Sequence, residues 1–515
     1  MTLSILIWIP LAVSLVASQL PARLVARLSV LGSLVTLGIA ISFLARFKLG
    51  HAGLQFVTDQ VWISSLGIHY KLGLDGLNLA LVLLTTVLFS AALIFAAIRE
   101  WDRPGVFYFQ LGLAQSGVLG AFCAQDLALF VGFFDLMLIP FYFLAGIWGG
   151  PDRVRATTRL VIYTLVGSFF MLVAAVATGV LASSQHGTPL TFVISSLQAL
   201  PLSHTSQEWI FLCFALAFLV KMPLVPFHGW LPDGYKAMPI PAVAVFSGVV
   251  SKVAAYGFLR IVLPLFPYAS AHFQTLMLVV ALVSVIWATL IAMTTPDARL
   301  VVAYSSVAQL GFITLGIFSL RSTGGQGALL QMVNHGLVTA PLFFIVAVLA
   351  ARAGGSEKLA DMGGIALRAP VLASLFLIVS LATLAMPGSS NFVGEFMILL
   401  GLFQTKLPIA MIAAGVGVVG AAAYALRLYI ASMHNRVGPG VISRDIGRPE
   451  ALAIAPIVAM ILVLAFYPQF GLRRSEPSLK ASITAAQHQP SGSYGAAQHQ
   501  PPGSYEASRT RPQSP

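Results

Sequence analysis

The chain of 515 residues is 58% hydrophobic and only 9% charged, too few charges to cover the surface of a soluble protein of this size. Its net charge of +12 does not point to nucleic acid, because the lysines and arginines are scattered between apolar runs, where they orient a protein in a membrane. Cys123 and Cys213 lie in apolar surroundings without Cys-x-x-Cys or metal spacing and read as buried structural thiols.

Apolar runs of about twenty residues mark about fourteen spans. In chain order they cover 3–20, 28–46, 76–98, 106–123, 127–148, 159–182, 208–231, 239–264, 274–294, 300–320, 327–351, 369–403, 407–431 and 449–468. The first run lacks a basic leader and is followed by similar runs, so it reads as a span and not as a cleaved signal. Segments after odd-numbered spans carry most of the basic residues, among them Arg23, Arg27, Arg99, Arg153, Arg299 and Arg352. Those after even-numbered spans carry only Lys48, Lys71, Arg321 and Lys406. The bias places the odd segments in the cytoplasm and both termini outside. From residue 471 a Pro-, Gly-, Ser- and Gln-rich tail is expected to be disordered, since "AAQHQPSGSYG" and its near repeat "AAQHQPPGSYE" offer nothing to build a core. One histidine per repeat, His488 and His499, is too sparse for a metal site.

Five ionisable residues fall inside spans: Asp135, Lys221, Lys252, His335 and Glu395. A charge at bilayer depth costs roughly 2.5–3.5 kcal/mol on insertion scales, and such residues face a protein interior, pair, or line a water path. No dinucleotide fingerprint, phosphate loop or paired haem histidines accompany them. A row of protonatable groups without a cofactor motif points to ion movement. Two spans are interrupted beside these groups, by "VKMPLVPFHGW" next to Lys221 and by "LAMPGSSNFVGEF" next to Glu395. Prolines remove backbone donors and free carbonyls at membrane depth. Paired broken helices point to repeats and to the ion site between them. The seventh and twelfth spans stand five apart, so two copies of five spans would be inverted. The expected organisation is helices 1–3 over 1–105, one repeat over 106–265, its inverted copy over 266–435, a loop and last helix over 436–470, and the tail over 471–515. The fold class is therefore an all-α polytopic membrane protein of about fourteen helices with two inverted five-helix repeats. Asp135 is the candidate partner of Lys221, a bistable pair that could release a proton when its partner moves.

"KMPLVPFHGWLPD" (221–233), "SKVAAYGFLR" (251–260), "VVAYSSVAQLGF" (301–312) and "GSSNFVGEF" (388–396) resemble the antiporter-like membrane subunits of respiratory complex I, the subunit M or chain 4 type in particular. "YKLGLDGLNL" (70–79) and "LMLIPFYFLAGIWGG" (136–150) fit as well, so the resemblance runs from about residue 60 to 435. It implies a fourteen-helix, proton-translocating subunit of an NADH–quinone oxidoreductase in a bacterial inner membrane, beside subunits of the L and N types. It also implies that NADH, FMN, iron–sulfur clusters and quinone belong to partner subunits and that this chain binds none of them. The family pairs a glutamate on the fifth span with the lysine on the seventh, here Asp135 and Lys221; Lys252, His335 and Glu395 match its further proton-carrying positions. Three positions depart from the pattern. Asp135 stands where glutamate is usual, and its shorter arm is expected to lengthen the reach to Lys221. Gln309 and Tyr235 stand where histidines are usual, and a glutamine cannot take up a proton near neutral pH. The same fold could serve a multisubunit cation/proton antiporter, a membrane hydrogenase or a carbon-uptake complex, which neighbouring genes would distinguish. A solute-binding secondary transporter would need a polar substrate pocket that the sequence does not show.

Overall fold

The computed structural model describes residues 2–442 and 444–487. Its helices in chain order are α1 Leu3–Ser18, α2 Ala22–Arg46, α3 Leu79–Ala96, α4 Pro104–Cys123, α5 Leu127–Leu136, α6 Ile139–Trp148, α7 Arg153–His186 and α8 Ile194–Gln198. There follow α9 His204–Lys221, α10 Leu231–Ala237, α11 Ile240–Val245, α12 Ser251–Gly257, α13 Leu263–Leu265, α14 Pro267–His272, α15 Gln274–Thr294, α16 Ala298–Phe318 and α17 Ser322–Arg352. The last are α18 Pro370–Thr383, α19 Ser390–Phe403, α20 Leu407–Ile412, α21 Val419–Met433, α22 Arg448–Phe466 and α23 Gln469–Gln487. Among the described residues eleven helical stretches are long and apolar enough to cross a membrane, and Leu3–Ser18, Pro370–Thr383 and Ser390–Phe403 are shorter apolar helices. Burial separates the roles of these stretches. Ile240–Leu265 and Ser322–Arg352 are almost wholly enclosed by other helices, whereas Arg153–His186 turns most of its surface outward. A helix that is apolar all round and enclosed forms the centre of such a bundle.

The interruptions fall at the expected sequences and have visible causes. The run read as one span over 208–231 is helical only to Lys221, and α10 resumes at Leu231. Pro223 and Pro226 cannot donate, and the exposed backbone finds side chains instead: the Trp230 indole N–H donates to the Val220 carbonyl at 3.0 Å, and the Ser284 hydroxyl accepts from the Val225 N–H at 2.9 Å. The second break separates α18 from α19, with Asn334 of α17 donating to the Ser390 carbonyl at 2.7 Å. A third, smaller irregularity at Met137 and Leu138 divides α5 from α6 inside the run 127–148. Pro140 there leaves the Leu136 carbonyl without its helical donor. The enclosed stretch 240–265 contains two π-helical turns, Phe246–Val250 and Phe258–Val262, on either side of Lys252. Ala413–Val418, between α20 and α21, is π-helical as well.

Two departures from the sequence reading lie at one end of the bundle. Strands β1 Gln55–Ile63 and β2 Ile68–Leu74 form an antiparallel hairpin in a chain expected to be all-α. Its Tyr70 hydroxyl bonds Ser4 and Trp8 of α1, and the Gln125 N–H donates to the Lys71 carbonyl at 2.9 Å. Partial burial of Asp59 works against its charge, but Lys71 and His69 outweigh it and hold the carboxyl below the usual carboxylate range. The tail expected from residue 471 is the second departure. Residues up to Gln487 form α23, which lies across the same end of the bundle. Leu479 and Ile483 pack against Gly325, Ser478 accepts from the Gly76 N–H and donates to the Ala52 carbonyl, Ser482 donates to the Leu259 carbonyl, and Gln487 donates to the Leu320 carbonyl at 2.7 Å. Polar composition concealed an amphipathic helix. His488, His499 and the rest of the two repeats beyond Gln487 lie outside the described residues.

Candidate functional site

Lys221 is the last residue of α9, where the helix gives way to the proline-containing break. Its side chain is 3% exposed, and its ammonium meets Asp135 Oδ1 at 3.0 Å. The Ser168 hydroxyl of α7 touches both, accepting from the Lys221 ammonium at 2.8 Å and donating to the same Asp135 oxygen. Phe134 offers its ring face to the ammonium, 4.1 Å from the centroid, a favourable contact for a desolvated cation. The pair is thus direct. The shorter arm of aspartate leaves no gap, which corrects the expectation of a longer reach. Asp135 is not enclosed within the bundle: its side chain is 40% exposed, on the flank where α5 meets α6. The charge pair therefore has a buried cationic half and a lateral anionic half. Thr164, one turn before Ser168 on α7, bonds the Tyr142 hydroxyl of α6 at 2.6 Å and continues the polar edge.

Lys252, fully buried between the two π-helical turns, donates to the Ser247 carbonyl and lies 3.4 Å from the Ser251 hydroxyl. A π-turn widens the helix and leaves a carbonyl free of its ordinary partner, which is how a buried ammonium finds an acceptor on its own helix. No carboxylate pairs with it among the described residues. The Ser247 hydroxyl reaches Ser306 of α16 at 3.0 Å. His335 of α17 bonds Thr339 through Nε2 at 2.9 Å, its Nδ1 has no partner, and it stands within electrostatic reach of Lys252.

Gln309 lies one turn beyond Ser306 on α16 and opens the last cluster. Its amide N–H donates to Glu395 Oε1 at 2.7 Å, while Gln331 of α17 donates to Gln309 Oε1 at 2.8 Å. Glu395 itself is 2% exposed and its second oxygen has no partner. Around it Gln331 Oε1, Asn334 Oδ1, both amide atoms of Asn391, and the Ser389 and Ser390 hydroxyls are also buried and unpartnered. Buried polar atoms are normally satisfied, so this concentration at the α18–α19 break marks a place for water. Tyr235 at the third departing position is buried among Trp230, Phe246 and Phe343. The structure thus brings Asp135 to Lys221 and sets His335 near Lys252, while Glu395 sits with Gln309 and Gln331, one turn from His335 along α17. Ser168, Gln331, Asn334 and Asn391 were not singled out from the sequence. The helical spacing of Gln331, Asn334 and His335, all on one face of an apolar run, is the signal that could have found them.

A bundle of apolar helices with a row of interior titratable groups at its helix breaks is the architecture of an antiporter-like membrane subunit. The model of the transmembrane family described as NADH:quinone oxidoreductase/Mrp antiporter matches residues 124–420, and the chain belongs to that family. Relatives named as subunit M of NADH-quinone oxidoreductase match along most of the chain. The NADH-quinone oxidoreductase subunit M of Rhodobacter capsulatus is 35% identical over 506 residues, covering 95% of this chain and 98% of that protein. The subunit M of Rickettsia typhi is 35% identical over 86% of this chain and 89% of its own. Among solved structures, a chain of respiratory complex I from Thermus thermophilus superposes with a TM-score of 0.86 at 30% identity, over 94% of this chain and all of that one. A chain of the Mrp complex from Dietzia superposes with a TM-score of 0.80 at 19% identity, over 94% of this chain and 52% of that one, a likeness of fold.

Proposed function

We infer that the chain is the proton-translocating subunit M of an NADH–quinone oxidoreductase, coupling quinone reduction in partner subunits to proton movement across the membrane. The observation that carries the reading is the polar row itself. Asp135, Ser168 and Lys221 form its lateral end, Lys252, Ser247, Ser306 and His335 its middle, and Gln309, Gln331 and Glu395 its far end. These groups sit in an otherwise apolar bundle, where an interior charge is costly to keep and is retained for transport. On this reading the lateral carboxylate is the element that a neighbouring subunit can disturb. When it holds Lys221, the ammonium keeps its proton. When it is drawn away, a desolvated lysine favours release toward Lys252. Glu395 with its unpartnered oxygen and surrounding amides is the exit-side group.

The chain has fourteen spans in this proposal, with helices 4–8 over 106–265 and 9–13 over 266–435 as inverted repeats. Corresponding irregularities support it: the seventh and twelfth spans are broken, and the eighth and thirteenth both contain π-helical turns. Arginine-rich segments then face the cytoplasm, and the hairpin, α23 and both termini face the outer side of a bacterial inner membrane. NADH, FMN, iron–sulfur clusters and quinone are held by partner subunits, with L- and N-type subunits alongside. The test is Lys221→Met, which removes the charge while keeping a flexible apolar chain of similar length. The assembled complex should form, with proton pumping and quinone reduction both impaired. Pumping at the wild-type rate would make Lys221 a structural cation and end the reading.

A further inference from the structure

A cavity of about 1090 Å³ opens between α2, α3, α4 and α22 at the arginine-rich end of the bundle, remote from the polar row. Its rim carries Arg23 and Arg27, one helical turn apart on α2, and Arg99 just beyond α3. Among the described residues none of the three makes a side-chain hydrogen bond or ion pair, although Arg159, Arg260, Arg299, Arg352 and Arg427 do so with partners other than their own helix. Glu100 is the one carboxylate in the wall, so the rim is net positive. Beneath the rim the wall turns apolar, with Val30, Leu31, Leu34 and Ile94. Arg23 and Leu34 are eleven residues apart on a continuous helix, about 16 Å along its axis. One leaflet of the hydrocarbon core is about 15 Å deep. Trp101 and Tyr108 stand in the same wall, and the buried Tyr108 hydroxyl has no hydrogen-bond partner.

Orientation in the membrane requires basic residues near a helix end, but it does not require a cavity below them. A cavity that is cationic at its mouth and apolar through one leaflet has the polarity profile of a phospholipid. A water-filled cavity would waste its apolar wall, and a protein segment would have to supply both an acidic tip and a greasy stem. We propose that this cavity is a binding site for an anionic phospholipid of the arginine-side leaflet, its phosphate held by Arg23, Arg27 and Arg99 and an acyl chain lying between α2 and α22. Basic recesses between membrane helices on this side of a bilayer suit such headgroups.

The test uses the assembled membrane complex carrying the full chain, stripped of loose lipid in mild detergent. Dioleoylphosphatidylglycerol or dioleoylphosphatidylcholine is then added, and retained lipid is counted by native mass spectrometry. The wild-type complex should retain phosphatidylglycerol in preference to phosphatidylcholine. Each change among Arg23→Gln, Arg27→Gln and Arg99→Gln should weaken retention about fivefold, while the three Arg→Lys changes should preserve most of it. Leu34→Trp, which fills the slot and leaves every charge in place, should abolish the same lipid signal. Equal phosphatidylglycerol retention by the wild-type, triple-glutamine and Leu34→Trp complexes would overturn the proposal. So would loss of a neighbouring protein subunit from the triple variant with its lipid count unchanged, since a protein would then be the occupant.

Discussion

Replacing Asp135 by asparagine isolates the charge in the lateral pair. The variant keeps the volume of the side chain and can still accept from Lys221, but it removes the anion 3.0 Å from a lysine that is 3% exposed. Two unit charges at that separation attract by about 5 kcal/mol at an effective dielectric of 20. The 40% exposure of Asp135 admits screening, and about 2–3 kcal/mol is the reasonable net remainder. If half of that difference enters the barrier to proton transfer, pumping falls about tenfold. The assay is proton uptake by inverted membrane vesicles driven by NADH, normalised to assembled complex. Asp135→Glu should retain activity, because it preserves the charge and Ser168 can hold either carboxylate. Assembled Asp135→Asn complexes pumping at the wild-type rate would refute the coupling pair, even if Lys221 proved essential.

Ser168→Ala removes the hydroxyl shared by both charges but leaves the pair; a net loss of about 1 kcal/mol predicts a milder fall in uptake, and an effect as large as that of Asp135→Asn would make the serine itself the proton carrier. Glu395→Gln should stop translocation while sparing assembly, and Glu395→Asp should be milder, read by the same vesicle assay. Gly76→Ala should loosen α23, because the new methyl would lie 2.2 Å from the Arg474 carbonyl; a fall in thermal stability equivalent to about 1–3 kcal/mol is expected, with faster proteolysis after Phe466. The hairpin should show a pH dependence of definite sign. The Asp59 carboxyl is held below its ordinary range, so its contribution is complete above the unfolded value near pH 4 and is lost as pH falls through the lower folded value. Protection of the β1 and β2 amides, taken relative to the intrinsic exchange rate at each pH, should fall on acidification, and Asp59→Asn should remove that dependence.

The legible part of this molecule was the part where sequence pays a visible penalty. A lysine or glutamate in an apolar run, or a Met-Pro inside a span, violates a strong rule, and Lys221, Lys252, Glu395 and both broken helices were found that way. Serine, asparagine and glutamine carry a smaller penalty, so Ser168, Asn334 and Gln331 passed as ordinary members of their helices until the fold placed them against the charges. The π-helical turns around Lys252 have no proline to announce them. The hairpin escaped because β1 is mostly exposed, β2 is half-buried to buried, and neither strand shows a clean alternation. In α23 the mean composition is polar, yet Ser475, Leu479, Ser482, Ile483 and Ala486 recur at helical spacing and form its buried face. Composition hid what periodicity would have revealed.

The position of α23 across the bundle also sets an order of events in biogenesis. Its anchors are backbone groups of residues 52, 76, 259 and 320, all of which leave the ribosome well before residue 469 does. The helices that contain or flank them must therefore enter the bilayer and find one another with that end of the bundle still uncovered. Synthesis proceeds at about 5–20 residues per second, so the interval between residue 320 and residue 487 lasts roughly 8–33 seconds. During it the Leu259 and Leu320 carbonyls and the apolar surface around Gly325 are open to water, to an insertion factor or to a protease. Docking of the last helix ends that vulnerable interval and converts a set of inserted segments into a sealed subunit.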